Sequence, residues 1–126
     1  MPANESSSEV FERLKAILQE HAPQLTVMND EPRFYLLRTK VLARRKLGHA
    51  FGAVMAIASV VKFNLGALVW YHDLREQESP ELRKHTRDFT NFDFQASGDD
   101  LTDDLLTELA GLTKTCLERM MKDRRA

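Results

Sequence analysis

The chain has 126 residues, enough for a single domain with a real hydrophobic core. Apolar residues make up 43% and charged residues 29%, the balance of a folded globular protein and not of a disordered one. A net charge of −1 excludes a global field toward nucleic acid or an anionic membrane, and the lone Cys116 excludes an internal disulfide and favours a reducing compartment.

The opening MPANESSSEVFERL has no basic region followed by an apolar block, so no secretory signal is expected. Residues 1–7 read as a flexible lead-in, 8–122 as one domain and 123–126 as a basic tail. A cytoplasmic location of bacterial type is expected. Ser6 and Glu9 have the spacing of a capping box, and Val10, Phe11, Leu14, Ile17, Leu18 and Ala22 follow at helical spacing until Pro23.

QLTVMN and RFYLLRTKV read as two strands of a hairpin, with its turn at Asn29-Asp30-Glu31-Pro32. Next comes FGAVMAIASVVKFNLGALVWY, residues 51–71, which has the length of a membrane span. Lys62 would then lie near the bilayer centre, at a cost of about 2.5–3.5 kcal/mol. Moreover, Val61, Phe63 and Leu65 alternate with Lys62 and Asn64, the period of a half-buried strand. Two strands are therefore expected, from Ala50 to about Ile57 and from Ser59 to about Leu65, with a break at Gly66. Val54, Val60 and Trp70 are placed on or near the face turned away from the helices.

Ser79-Pro80-Glu81 has the chemistry of a helix start. Thr90, Phe92 and Phe94 alternate with polar residues as in a strand. Asp100 or Thr102 then caps a long helix with Leu101, Leu105, Leu109, Leu112, Cys116 and Met120 on one stripe. The order is α-β-β-β-β-α-β-α. Grouped strands predict an α+β fold: one antiparallel sheet of about five strands, with the N-terminal and the long C-terminal helix on one face.

From Phe51 to about Met121 the chain resembles the YdhG-like domains, a family of small bacterial domains of unknown function. The resemblance rests on SPELRKH, FTNFDF and DDLTDDLLTELAGLTKTCLERM. These are similar to the family's Ser-Pro-x-Leu-basic helix, its Phe-x-Phe strand and its acidic-start terminal helix. Residues 1–50 fit by element order alone. The family reaches its Phe-x-Phe strand through a small, basic Gly-Lys-Ser-like segment, whereas this chain has Arg87-Asp88-Phe89-Thr90. Of any anion site there, Arg87 and Thr90 would remain. The resemblance implies a compact frataxin-like fold, and some members are described as iron chaperones, so iron is the one cofactor it brings into question.

Several clusters are candidate sites. Asp99, Asp100, Asp103, Asp104 and Glu108 offer hard oxygen ligands of the kind iron delivery needs, with pairs at i, i+4 spacing. The competing reading is helix-start chemistry, in which the carboxylates complement the helix dipole. Arg38, Lys40, Arg44, Arg45 and Lys46 form a basic patch for an anionic ligand or nucleic acid, the latter disfavoured by the neutral overall charge. Trp70, Tyr71 and His72 offer an aromatic surface for a ligand or a protein partner, including a second copy of the chain, against a competing role in core packing.

The four histidines have no metal-ligand spacing, Cys116 lies on an apolar stripe, and neither a nucleophile elbow nor a phosphate loop occurs. The expected function is a non-enzymatic module binding a small ligand or protein partner. A frataxin-like iron chaperone is the first alternative, and binding of an anion or nucleic acid through the basic patch is the second.

Overall fold

The computed structural model describes residues 2–38, 50–88 and 90–125, with side chains except at 2–8, 50, 67, 70, 72 and 123–125. Helix α1 spans Pro2–Gln19 and strands β1 to β4 span Thr26–Glu31, Phe34–Arg38, Ala50–Ile57 and Val60–Asn64. Short helices α2 (His72–Glu76) and α3 (Pro80–Arg83) precede β5 (Asn91–Gln95) and the long helix α4 (Asp103–Arg125). The five strands form one antiparallel sheet in the order β1-β2-β3-β4-β5. The fold is α+β, in the expected element order.

Helix α1 begins at Pro2, a residue suited to a first helical position because its missing N–H would have no partner there. Ser6 and Glu9 therefore lie within the helix and not at its cap. The helix ends at Gln19, earlier than expected, and Ala22 and Pro23 lie in a separate 3-10 turn at Ala22–Gln24. Val10, Phe11, Leu14 and Leu18 are buried along one stripe of the helix.

The first hairpin departs from expectation. Its turn is Pro32-Arg33, closed by the pair Glu31 and Phe34, so Asn29, Asp30 and Glu31 belong to β1. Local propensity disfavours acidic residues in a strand, but side-chain partners offset it here. Asp30 meets the Lys15 ammonium of α1 at 2.8 Å, and Glu31 accepts a hydrogen bond from Asn29 Nδ2 at 2.9 Å. A bulge between Val27 and Asn29 leaves Met28 half-exposed at the sheet edge.

The apolar run 51–71 is two strands followed by a 3-10 helix at Gly66–Trp70, and no described helix is long and apolar enough to cross a membrane. A two-residue turn, Ala58-Ser59, joins Ile57 to Val60 and fixes the register. Ala58 adopts φ 53°, the left-handed region that costs a residue with a Cβ about 1–2 kcal/mol.

That register sets the faces. Tyr35, Val54, Phe63 and Phe92 lie opposite one another across β2 to β5, all at most 2% exposed. Helix α1 packs over this row, and α4 packs beside α1, adding Leu105, Leu109 and Cys116 to the core. Burying each large apolar side chain contributes about 1.5–3 kcal/mol. Val54 is thus on the helix side, contrary to expectation. Its neighbour in the run, Val60, is on the other face, because six positions separate them but the two-residue turn inverts the alternation. The other face carries Phe34, Leu36 and Met55 half-buried beside Lys62, Asn64, Asn91 and Asp93.

Gly52 faces α1, where a Cβ would lie 2.9 Å from Leu18 Cδ2 and 3.0 Å from the Asn64 carbonyl oxygen. The missing side chain is what lets helix and sheet approach this closely.

Candidate functional site

Strand β5 ends the sheet, and its outward backbone groups are all engaged by the chain on either side. Arg87 N donates to Asn91 O at 2.9 Å, and Asp93 N donates to His85 O at 2.9 Å. His85 Nδ1 donates to Asp93 O at 2.9 Å. The Asp100 carboxylate accepts from Gln95 N at 3.0 and 3.2 Å, and Gly98 N donates to Gln95 O at 2.9 Å. An open edge invites strand addition, and these contacts close this one.

The same contacts shape a polar cleft of about 290 Å³, lined by Val60, Asp93, Phe94 and Gln95 of the sheet, by Lys84, His85, Thr86 and Arg87, and by Asp100. Ser79 starts the segment that brings these residues here. Its hydroxyl accepts from Leu82 N at 3.1 Å and donates to Glu108 Oε1 at 2.6 Å, while Ser79 N donates to Glu108 Oε2 at 2.8 Å. The start of α3 is therefore held to α4, and α3 delivers Lys84 to Arg87 onto β5.

Within the cleft, the His85 ring stacks on Phe94 with centroids 4.6 Å apart. A backbone carbonyl only accepts, so the bond to Asp93 O places hydrogen on His85 Nδ1. Asp100 Oδ2 lies 3.7 Å from the same nitrogen. Asp93 is 15% exposed and lies between two cations: Lys62 Nζ at 3.1 Å and Arg87 Nε at 2.8 Å. His85, Asp93, Arg87 and Asp100 are thus each held by a hydrogen bond, and the arrangement can hold and orient a small polar molecule.

The other expected site residues are dispersed. Asp100 is spent on β5, Glu108 on Ser79, and Thr102, not Asp100, caps α4 by accepting from Leu105 N at 3.2 Å. Asp103 and Asp104 are exposed in the first turn of α4, Asp99 lies in the preceding turn, and no group of three metal-ligating side chains converges among the described residues. Thr90 does not line the cleft but joins a network with Asp88, Asn91 and Asn64. Its N–H and the Asn91 side chain hold the Asp88 carboxyl below the usual range. Tyr71 packs under the Arg119 guanidinium, 5.7 Å from its ring centroid, and Arg119 makes a two-pronged pair with Asp73. That contact holds the Asp73 carboxyl low. Of Trp70 and His72 only the backbone is described.

Arg38 is half-buried at the end of β2, opposite Thr26 and Ala50. Lys40, Arg44, Arg45 and Lys46 lie outside the described residues. Cys116 is buried in the core, and burial pushes its thiol up to about 12.

Comparison of the chain with protein-family models, curated proteins and solved structures found no match. The cleft's chemistry is the guide to function that remains. Of its lining, the sequence reading singled out Arg87 and, in another role, Asp100. Lys84 and His85 within SPELRKH and Asp93 within FTNFDF were read as parts of a helix and a strand, with nothing in the sequence to mark them as lining one cleft.

Proposed function

We propose that this protein is a small-ligand-binding domain and that its ligand sits in the cleft beside β5. The observation that carries the reading is pre-organisation: Asp93, Asp100, His85 and Arg87 are each fixed by a hydrogen bond before any ligand arrives. Groups already ordered lose little conformational freedom on binding. The cleft offers charge and hydrogen bonding without an activated nucleophile. The Thr86 hydroxyl leans on the Leu82 carbonyl, and the thiol of Cys116 is buried elsewhere, so binding is favoured over covalent catalysis.

The test is an amide chemical-shift titration of the labelled protein with acetate, inorganic phosphate, acetamide, glycerol and adenosine. Saturable shifts concentrated at Lys84–Arg87 and Gln95–Asp100 are expected from at least one compound. Shifts scattered over the surface, or none from the whole set, would refute the cleft as a ligand site.

A further inference from the structure

Arg87 is oriented in an unusual way for a surface cation. Its Nε donates to Asp93 Oδ2 at 2.8 Å, while among the described residues its two terminal nitrogens donate to nothing. The side chain is 71% exposed, yet the carboxylate it touches is 15% exposed and also bound to Lys62 Nζ at 3.1 and 3.4 Å. Asp93 therefore does not depend on Arg87 for its charge balance. What the contact does is fix the plane of the guanidinium, which is rigid and delocalised, so that fixing Nε also fixes the direction of the terminal pair.

A terminal guanidinium pair matches two oxygens of a carboxylate or phosphate, and such charge-assisted pairs are the strong ones in recognition. The surroundings agree. In the cleft lining Lys84 and Arg87 stand beside Asp93 and Asp100, and Lys62, from outside the lining, offsets the charge of Asp93, so that Arg87 is not neutralised by Asp93 alone. Lys84 is held away only by a contact of 3.5 Å to Glu81 in which both side chains are 71% exposed, so it is free to turn. Asp100, the one carboxylate not paired with a cation's nitrogen at hydrogen-bond distance, accepts from Gln95 N through both oxygens.

We infer that the ligand of this cleft carries a carboxylate or phosphate group, bound by the terminal nitrogens of Arg87, with Asp93 as the residue that positions the guanidinium. This rests on the cleft being a ligand site. It assigns Lys62 a supporting role: bonded to the same carboxylate at 3.1 Å, it holds Asp93 in place, so that Asp93 holds Arg87 without competing for the ligand.

The experiment compares acetate, inorganic phosphate and uncharged acetamide on the intact protein and on R87Q, R87K and D93N, by the same amide titration. Because Arg87 is largely exposed, R87Q is expected to fold normally. In the unsubstituted protein, acetate or phosphate is expected to shift the Lys84–Arg87 amides saturably and acetamide is not. R87Q is expected to weaken anion binding about tenfold or more, the loss of a charge-assisted pair. R87K, which keeps the charge but loses the fork, should be weakened nearly as much. D93N tests the positioning: it leaves Nε only a weaker, neutral acceptor while removing a negative charge beside the site, so weakened anion binding is expected, and unchanged or tighter binding would overturn the role of Asp93.

Equal binding of acetate and acetamide would overturn the inference and leave the cleft as a ligand site. Anion binding unchanged in R87Q would overturn the assignment to Arg87. Preference for phosphate over acetate, or the reverse, names the group. Silence toward both anions with a response to a neutral compound overturns the inference alone, and silence toward every compound overturns the ligand site with it.

Discussion

Gly52 offers a direct test of how helix α1 is seated on the sheet. In Gly52→Ala, the added methyl would lie 2.9 Å from Leu18 Cδ2 and 3.0 Å from the Asn64 carbonyl oxygen. Carbon contacts are comfortable at about 3.5–4.0 Å, so the approach to Leu18 is short by roughly 0.6–1 Å. Two terms favour alanine: about 0.8 kcal/mol for the buried methyl, and about 0.4–1 kcal/mol for a less flexible unfolded chain. Overpacking a tight core costs about 1–3 kcal/mol. The upper end applies here, because Leu18 is fully buried and the Asn64 oxygen belongs to the backbone of β4. The net expectation is destabilisation by about 1–2 kcal/mol, read as a urea midpoint lower by about 0.5–1 M with an unchanged slope. In a Leu18→Ala background the side-chain clash is gone and the methyl fills part of the new cavity. The cost of Gly52→Ala should then shrink or change sign, a coupling of about 1 kcal/mol or more. Additive costs, or a Gly52→Ala protein as stable as the parent, would refute the packing argument.

Three further outcomes follow from single residues. Ala58→Gly removes a left-handed alanine from an exposed turn and is expected to stabilise the fold by about 0.5–1 kcal/mol, once glycine's extra unfolded-state freedom is subtracted; a loss of stability in urea would contradict the strain. Glu78 is 8% exposed, and burial pushes its carboxyl above the ordinary 4.5, with Arg83 opposing and Glu108 adding to the shift. A carboxyl raised on folding holds more protons in the folded state, so its contribution worsens as pH rises from 4.5 through the raised value. Glu78→Gln should therefore be stabilising at neutral pH, with the gain fading below pH 4.5, and a gain that grows on acidification would reverse the sign. Cys116, with its thiol pushed up to about 12, should resist thiol reagents in native buffer and react at once in denaturant; rapid native labelling would place it at the surface.

Much of the fold was legible because the run 51–71 carries its own period. Lys62 and Asn64 interrupt it at the spacing only a strand explains, and Ser79-Pro80 marks a helix start by local chemistry that needs no tertiary partner. The first turn was not legible. Asn29-Asp30-Glu31 has turn composition, and only the distant Lys15 makes Asp30 acceptable in a strand. The candidate site was mostly hidden for the same kind of reason. Asp93 gains its meaning from Lys62, directly across β4, and from Arg87, six residues upstream. The first relation exists only once the register of β4 against β5 is set, and the second only once residues 85–87 fold back along the outer edge of β5. The acidic run 99–108 shows the converse: its composition looked like a metal ridge, but Asp100 turns back to β5 and Glu108 turns across to Ser79.

The closed edge of β5 has a use beyond keeping other strands away. The Asp93 amide hydrogen is held by the His85 carbonyl and the Gln95 amide hydrogen by the Asp100 carboxylate, so both are guarded by the walls of the cleft and not by a neighbouring strand. Their exchange with deuterated water then times the loosening of those walls, separately from the unfolding of the sheet, which the Phe92 and Phe94 amides record. The molecule carries its own pair of clocks: a ligand that braces the cleft would slow the first and leave the second running at its old rate.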